Sequence, residues 1–140
     1  MDTGGSHPEP LLLKRFEVFR SLSWAQCRRM ANLIAQQDVE VGVELNIEGQ
    51  RGARFFLIVE GEAEVMQGGK VLGRLRPGDH FGEIAILSDG PRTATVVATT
   101  PMKVLVMFGP AFRLMEEEFP AVAKAIYTDA AQRLNDDDDR

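Results

Sequence analysis

Apolar and polar positions change their period several times along this chain, and each change predicts an element. From Leu11 to Phe19 the residues Leu12, Leu13, Phe16, Val18 and Phe19 recur at helical spacing. Ser21-Leu22-Ser23 interrupts them, and Ser23 with Gln26 three residues on has the capping-box signature of a second helix. Leu22 and Cys27 would be its hydrophobic staple, and Trp24, Cys27, Met30, Ala31 and Ile34 its buried face. After Gln37 the period falls to two. Val39, Val41, Val43, Leu45 and Ile47 alternate with polar or small residues, which predicts one half-buried strand. Gly49 to Gly52 is a turn. Arg54 to Glu60 and Glu62 to Met66 read as strands parted by Gly61, and Gln67-Gly68-Gly69-Lys70 is a hairpin turn into Val71 to Leu75.

Pro77-Gly78-Asp79 is a further turn and leads directly into the stretch from Phe81 to Thr95. Thr93 to Thr99 and Met102 to Phe108 are two more strands, separated at Thr100-Pro101. Gly109-Pro110 opens a helix, since Pro suits the first helical position, with Phe112, Leu114, Met115 and Phe119 on its apolar side. Pro120 restarts the helix with Val122, Ala125, Ile126, Ala130 and Leu134 along one side. Many short strands with Gly-rich turns and no helix between them predict a mainly β fold, an antiparallel roll or sandwich flanked by helices at both ends.

Composition narrows the class. A chain of 140 residues with 44% apolar content has the size of one domain with a full core. Residues 1–10 are polar and carry no secretion-signal pattern, so they are expected to be a disordered tail. The domain is expected over 11–135, and the acidic run 136–140 to be a second disordered tail. One cysteine, Cys27, excludes an internal disulfide framework and fits a reducing, cytoplasmic setting; as a residue type it reads as a small buried hydrophobe. No apolar run is long enough to span a membrane. The net charge of −5 argues against nucleic acid as a partner.

The chemistry gathers in the stretch Phe81-Gly82-Glu83-Ile84-Ala85-Ile86-Leu87-Ser88-Asp89-Gly90-Pro91-Arg92-Thr93-Ala94-Thr95. A Gly-led turn entering a short helical turn presents unpaired N–H groups, a ready anion site, and Gly82 lets the backbone approach a ligand closely. Arg92 adds a planar, permanently charged fork suited to two phosphate oxygens. Glu83 would repel a phosphate, but it makes sense if it points past the anion to a sugar hydroxyl, with Arg92 holding it ionised. An anion together with a ribose describes a nucleotide.

Phe-Gly-Glu-Ile-Ala followed, after a spacer, by Pro-Arg-Thr-Ala-Thr resembles the phosphate-binding cassette of the cyclic nucleotide-binding domain family. The resemblance continues through Gly42-Val43-Glu44-Leu45, Val59-Glu60-Gly61-Glu62-Ala63-Glu64-Val65 and Leu75-Arg76-Pro77-Gly78-Asp79, and covers roughly 12–134. It implies a β-roll of about eight strands with N-terminal and C-terminal helices. It also implies that Gly82, Ile84 and Ala85 offer backbone N–H groups to the cyclic phosphate, that Glu83 holds the ribose 2′-hydroxyl, and that Arg92 holds an exocyclic oxygen. Phe81 and Ala94 complete the cassette's binding set. A hydroxyl residue after the arginine, here Thr93, favours cyclic GMP in some family members and contacts phosphate or backbone in others, so cyclic AMP and cyclic GMP both stay open. The base would lie on Val71 and Leu72, with Tyr127 and Leu134 as possible lid residues.

The resemblance further implies a sensor that moves its C-terminal helices on binding and regulates an effector domain or protein, with no cofactor and no catalysis of its own. The alternative is a protein-interaction module on the same roll without a ligand. Glu83 and Arg92 would then be only an ion pair at a sheet corner. His80 invites a metal reading, but the other histidine, His7, lies in the tail, so no ligand cluster is expected. Ser88 and Asp89 lack a histidine partner and read as turn residues. No helix-turn-helix pattern follows the last helix, so a transcription factor is not expected within these residues.

Overall fold

The strand Arg54–Glu60 organises the fold, because its five inner residues are all buried and alternate between two different cores. A computed structural model describes residues 6–49, 54–82 and 94–138, with side chains through Asp129. Its strands are β1 (Ala35–Val39), β2 (Glu44–Asn46), β3 (Arg54–Glu60), β4 (Ala63–Gln67), β5 (Lys70–Leu75), β6 (His80–Phe81), β7 (Thr95–Ala98) and β8 (Met102–Phe108). They form two four-stranded antiparallel sheets, ordered β1-β8-β3-β6 and β2-β7-β4-β5. Helices α1 (Trp24–Ala31), α2 (Gly109–Glu118) and α3 (Pro120–Asp138) pack outside, as the expected flanked roll requires.

Period-two geometry divides the two cores. Phe55 and Leu57, opposite Met107 and Leu105, face the helices with Val59. Phe56 and Ile58, opposite Val106 and Val104, face the second sheet, where Leu45, Ala63, Leu75, Val96 and Ala98 close the roll. Phe16, Phe19, Phe112, Met115, Phe119, Val122 and Ile126 fill the helical side. A strand buried on both faces cannot show polar–apolar alternation, which is why this one reads as an unbroken apolar run.

Several expectations are corrected. The helix over Leu11–Phe19 is two short 3-10 turns, Pro10–Arg15 and Glu17–Phe19, and Lys14 ties down the chain after them through the carbonyls of Arg20 and Leu22. Ser23 and Gln26 do form a reciprocal capping box at α1. Trp24, in the first turn, stays half exposed because the packed face begins at Cys27. The strand read from Val39 to Ile47 is two strands in different sheets. Gly42, at φ +89°, makes the turn between them, and Val41 and Val43 consequently lie exposed. Leu114 is exposed on α2 because Phe112 and Met115 set the buried face.

The N-terminal stretch departs from a disordered tail from Ser6 onward. The carbonyl of Ser6 accepts from the N–H of Gln36 at 2.6 Å, His7 Nδ1 donates to the carbonyl of Ile34 at 2.8 Å, and Pro8 is buried. At the other end the backbone of α3 stays helical to Asp138, past the expected limit at 135. Gly61 is required where β3 turns into β4. Its φ is +88°, and a Cβ there would lie 2.3 Å from the carbonyl oxygen of Pro101.

Candidate functional site

The short strand β6 carries the chain to the candidate site, and the sequence pattern had read only a turn before it. That turn is present: the N–H of Arg76 donates to Asp79 Oδ2 at 2.7 Å, and Gly78 takes φ +97°. It is fastened to β3 by two hydrogen bonds of 2.9 Å, from Gly78 N–H to the Ile58 carbonyl and from Ile58 N–H to the Asp79 carbonyl. β6 then pairs with β3 through Phe56–Phe81 and Leu57–His80. Because side chains alternate, its two residues enter different cores. Phe81 stacks on Phe56 inside the roll, with centroids 4.8 Å apart and planes at 16°. His80 faces the helical side, its ring 5.5 Å from that of Phe55 and its Nε2 3.2 Å from Asp129 Oδ2 on α3.

Gly82 follows with φ +99°, a conformation that glycine adopts without strain. Glu83, Ile84, Ala85, Arg92 and Thr93 lie outside the described residues. The connection between Gly82 and Ala94 runs from one sheet to the other, since β6 belongs to the first and β7 to the second. Ala94 is half-buried at a bend that opens into β7. The hydroxyl of Thr95 accepts from the N–H of Glu48, and Oε1 of Glu48 accepts from the N–H of Gly68. The start of β7 is thereby tied to the loop after β2 and to the β4–β5 hairpin.

Val71 and Leu72 lie on β5, the edge strand of the second sheet, and expose 52% and 46% of their surface. The register shifts at Val65/Met66, where Val65 faces Gly73 and Met66 faces Val71, so Leu72 is the extra residue of a bulge. Two exposed apolar side chains at an edge suit a flat aromatic base. Tyr127 is engaged elsewhere. It packs against the helical core and donates its hydroxyl to Glu116 on α2, and burial, then that carboxylate, pushes its phenol well above the usual range. Leu134 lies on the helical backbone of α3, with its side chain outside the described residues.

Two residues near the site escaped the sequence reading. Asp129 is 49 positions from His80, and no periodicity links them. Asn46 sits at an irregularity in β2, between Glu44 and Asn46, that turns it to the buried side with Leu45. Among the described residues no three His, Cys, Asp or Glu side chains gather as metal ligands, and no helix is long and apolar enough to cross a membrane.

Comparison with known proteins adds independent findings. The family described as "Cyclic nucleotide-binding domain" matches residues 42–118. A cAMP-dependent protein kinase regulatory subunit from Yarrowia lipolytica is 40% identical over 94 residues, which are 66% of this chain and 25% of that protein. The chain thus spans about a quarter of this relative. A solved structure described as cAMP-bound PfPKA-R superposes with a TM-score of 0.80 at 22% identity, covering 91% of this chain and 44% of the other. The catabolite activator protein of Thermus thermophilus gives 0.78 at 25% identity, covering 86% and 59%.

Proposed function

The chain belongs to the cyclic nucleotide-binding domain family, and from that premise we propose that it is a regulatory sensor whose C-terminal helices shift when a cyclic nucleotide enters the roll. The observation that carries this reading is the way β6 serves both cores. One residue before Gly82, Phe81 belongs to the roll, and one residue earlier His80 is held against α3 through Asp129. Movement of the cassette on capturing a phosphate would pull on the strand that touches α3. Such coupling needs the ligand to favour one helix arrangement over the other, because equal affinity for both shifts nothing.

In this reading Gly82, Ile84 and Ala85 cradle the cyclic phosphate with backbone N–H groups, Arg92 neutralises it, and Glu83 holds the 2′-hydroxyl. Val71 and Leu72 carry the base. The relative from Yarrowia lipolytica makes cyclic AMP the first ligand to test and a protein kinase catalytic subunit the first effector. The domain acts as a switch rather than a catalyst. The buried free thiol of Cys27 fits work in a reducing cytoplasm.

Calorimetric titration with cyclic AMP and cyclic GMP tests the proposal. The wild type binds at least one of them, and Arg92→Ala costs about 3–5 kcal/mol of affinity by leaving the phosphate charge without its partner. Absence of both heat and thermal shift at millimolar nucleotide would reject it.

A further inference from the structure

Asn46 is a polar side chain in a core that is otherwise apolar. It is 8% exposed, and among the described residues its Oδ1 is the buried side-chain oxygen or nitrogen with no hydrogen-bond partner. Its orientation follows from register. Asn46 pairs with Val96 on β7, Val96 lies in the roll's interior cluster, and directly paired residues project from the same face. The carboxamide therefore points into the roll rather than into solvent. A buried carbonyl without a donor is a standing cost, and folded proteins retain few of them.

The surroundings say which part of a ligand would meet it. Arg54 donates to the carbonyl of Leu45, the residue before Asn46, and its guanidinium lies 5.3 Å over the ring of Phe56. Phe56 stacks on Phe81, which adjoins Gly82. Val96, the pairing partner, stands two residues after Ala94 on the far side of the cassette. Asn46 is thus paired with the strand that leaves the segment expected to hold phosphate and ribose, and its neighbour Leu45 is joined through Arg54 and Phe56 to the ring of Phe81 at the entry to that segment. The base platform on β5 is three strands away, about 14 Å at ordinary strand spacing.

We propose that Asn46 is a ligand-positioning residue whose Oδ1 accepts a hydrogen bond from a water held at the sugar–phosphate end of the bound nucleotide. The inference rests on the cyclic nucleotide reading and assigns the site a contact outside the cassette. The ribose 2′-hydroxyl has one proton, and Glu83 is expected to take it. The donor to Asn46 is then a water held by the cyclic phosphate.

The test compares the wild type with Asn46→Leu, which has nearly the same shape and no acceptor, and with Asn46→Thr, which keeps an acceptor. Each is titrated with cyclic AMP and with its 2′-deoxy analogue, and each is melted without ligand. Asn46→Leu is expected to melt a few degrees higher without ligand, to bind cyclic AMP about tenfold more weakly, and Asn46→Thr to recover part of that loss. A factor that persists with the 2′-deoxy analogue supports water as the donor, and one that vanishes overturns it in favour of the 2′-hydroxyl. Asn46→Leu binding as tightly as wild type overturns the assignment. So does an Asn46→Leu that cannot fold, since the oxygen would then be serving the protein itself. A wild type that binds neither cyclic AMP nor cyclic GMP overturns the function, and this contact with it.

Discussion

The two faces of β3 look onto cores built on different plans. On the helical side five phenylalanines, Phe16, Phe19, Phe55, Phe112 and Phe119, dominate. Two pairs meet edge to face, Phe16 with Phe19 and Phe55 with Phe112, the latter at 5.3 Å and 64°. Among the described residues on the roll side, only Phe56 and Phe81 are aromatic, set among smaller side chains, and Asn46 is buried opposite Val96 of that cluster. The first core joins elements distant in sequence into one layer. The second is closed by paired strands, and its two aromatic rings stack at the approach to Gly82. β6, like β3 and β8, reaches both cores, with His80 on the helical side and Phe81 in the roll.

Truncating the same residue type on each face tests this division most severely. Phe55→Ala and Phe56→Ala should each cost about 3–5 kcal/mol in chemical denaturation, since both rings are fully buried. Cyclic nucleotide titration of the folded fraction should then separate them. Phe55→Ala keeps affinity within a few fold, whereas Phe56→Ala loses much more because Phe81 loses its stacking partner. Equal affinities would erase the distinction between the cores.

A smaller effect should come from the link itself. Asp129→Asn removes the carboxylate beside His80, and with Asp129 half exposed the stability change should stay below about 1 kcal/mol. On the proposed coupling nucleotide affinity should nevertheless move several fold, because this contact joins α3 to the strand that leads into Gly82. An unchanged binding isotherm would mean that α3 and the cassette are not coupled through β6.

The smallest effect lies wholly within the helical layer. Tyr127→Phe removes the hydroxyl given to Glu116, at about 0.5–1 kcal/mol. The raised phenol pKa of Tyr127 sets the sign of the pH dependence. The contribution is fully present below the ordinary tyrosine value of about 10 and falls as pH rises above it, so wild type and variant should converge in alkaline melts. Nucleotide affinity should not follow. If it does, Tyr127 acts on the pocket, as its candidate place in the lid suggested.

Much of the architecture was legible in the order of residues. β3 and β8 match their apolar runs, the Ser23–Gln26 box caps α1, and Pro110 and Pro120 open α2 and α3. The misreadings share a cause. The alternation from Val39 to Ile47 passes through two strands of different sheets, and period two carries no mark of the turn at Gly42 that separates them. Trp24 and Leu114 satisfy helical spacing, yet the faces they share extend beyond what the core covers.

The site divides in the same way. Gly82 through Ala94 is local: a continuous segment puts a flexible glycine, an acid and an arginine at fixed spacing, so its chemistry is written in the chain before any folding. The placing of Asn46 and the pairing of His80 with Asp129 are not local. A bulge in β2 turns one side chain inward, and the packing of α3 against β6 brings together residues 49 positions apart. Residue order settles which groups a short segment can offer, because peptide geometry holds neighbours together. Which distant groups they meet depends on the packing of whole sheets and helices, where burial rewards many contacts at once and no single residue carries the instruction.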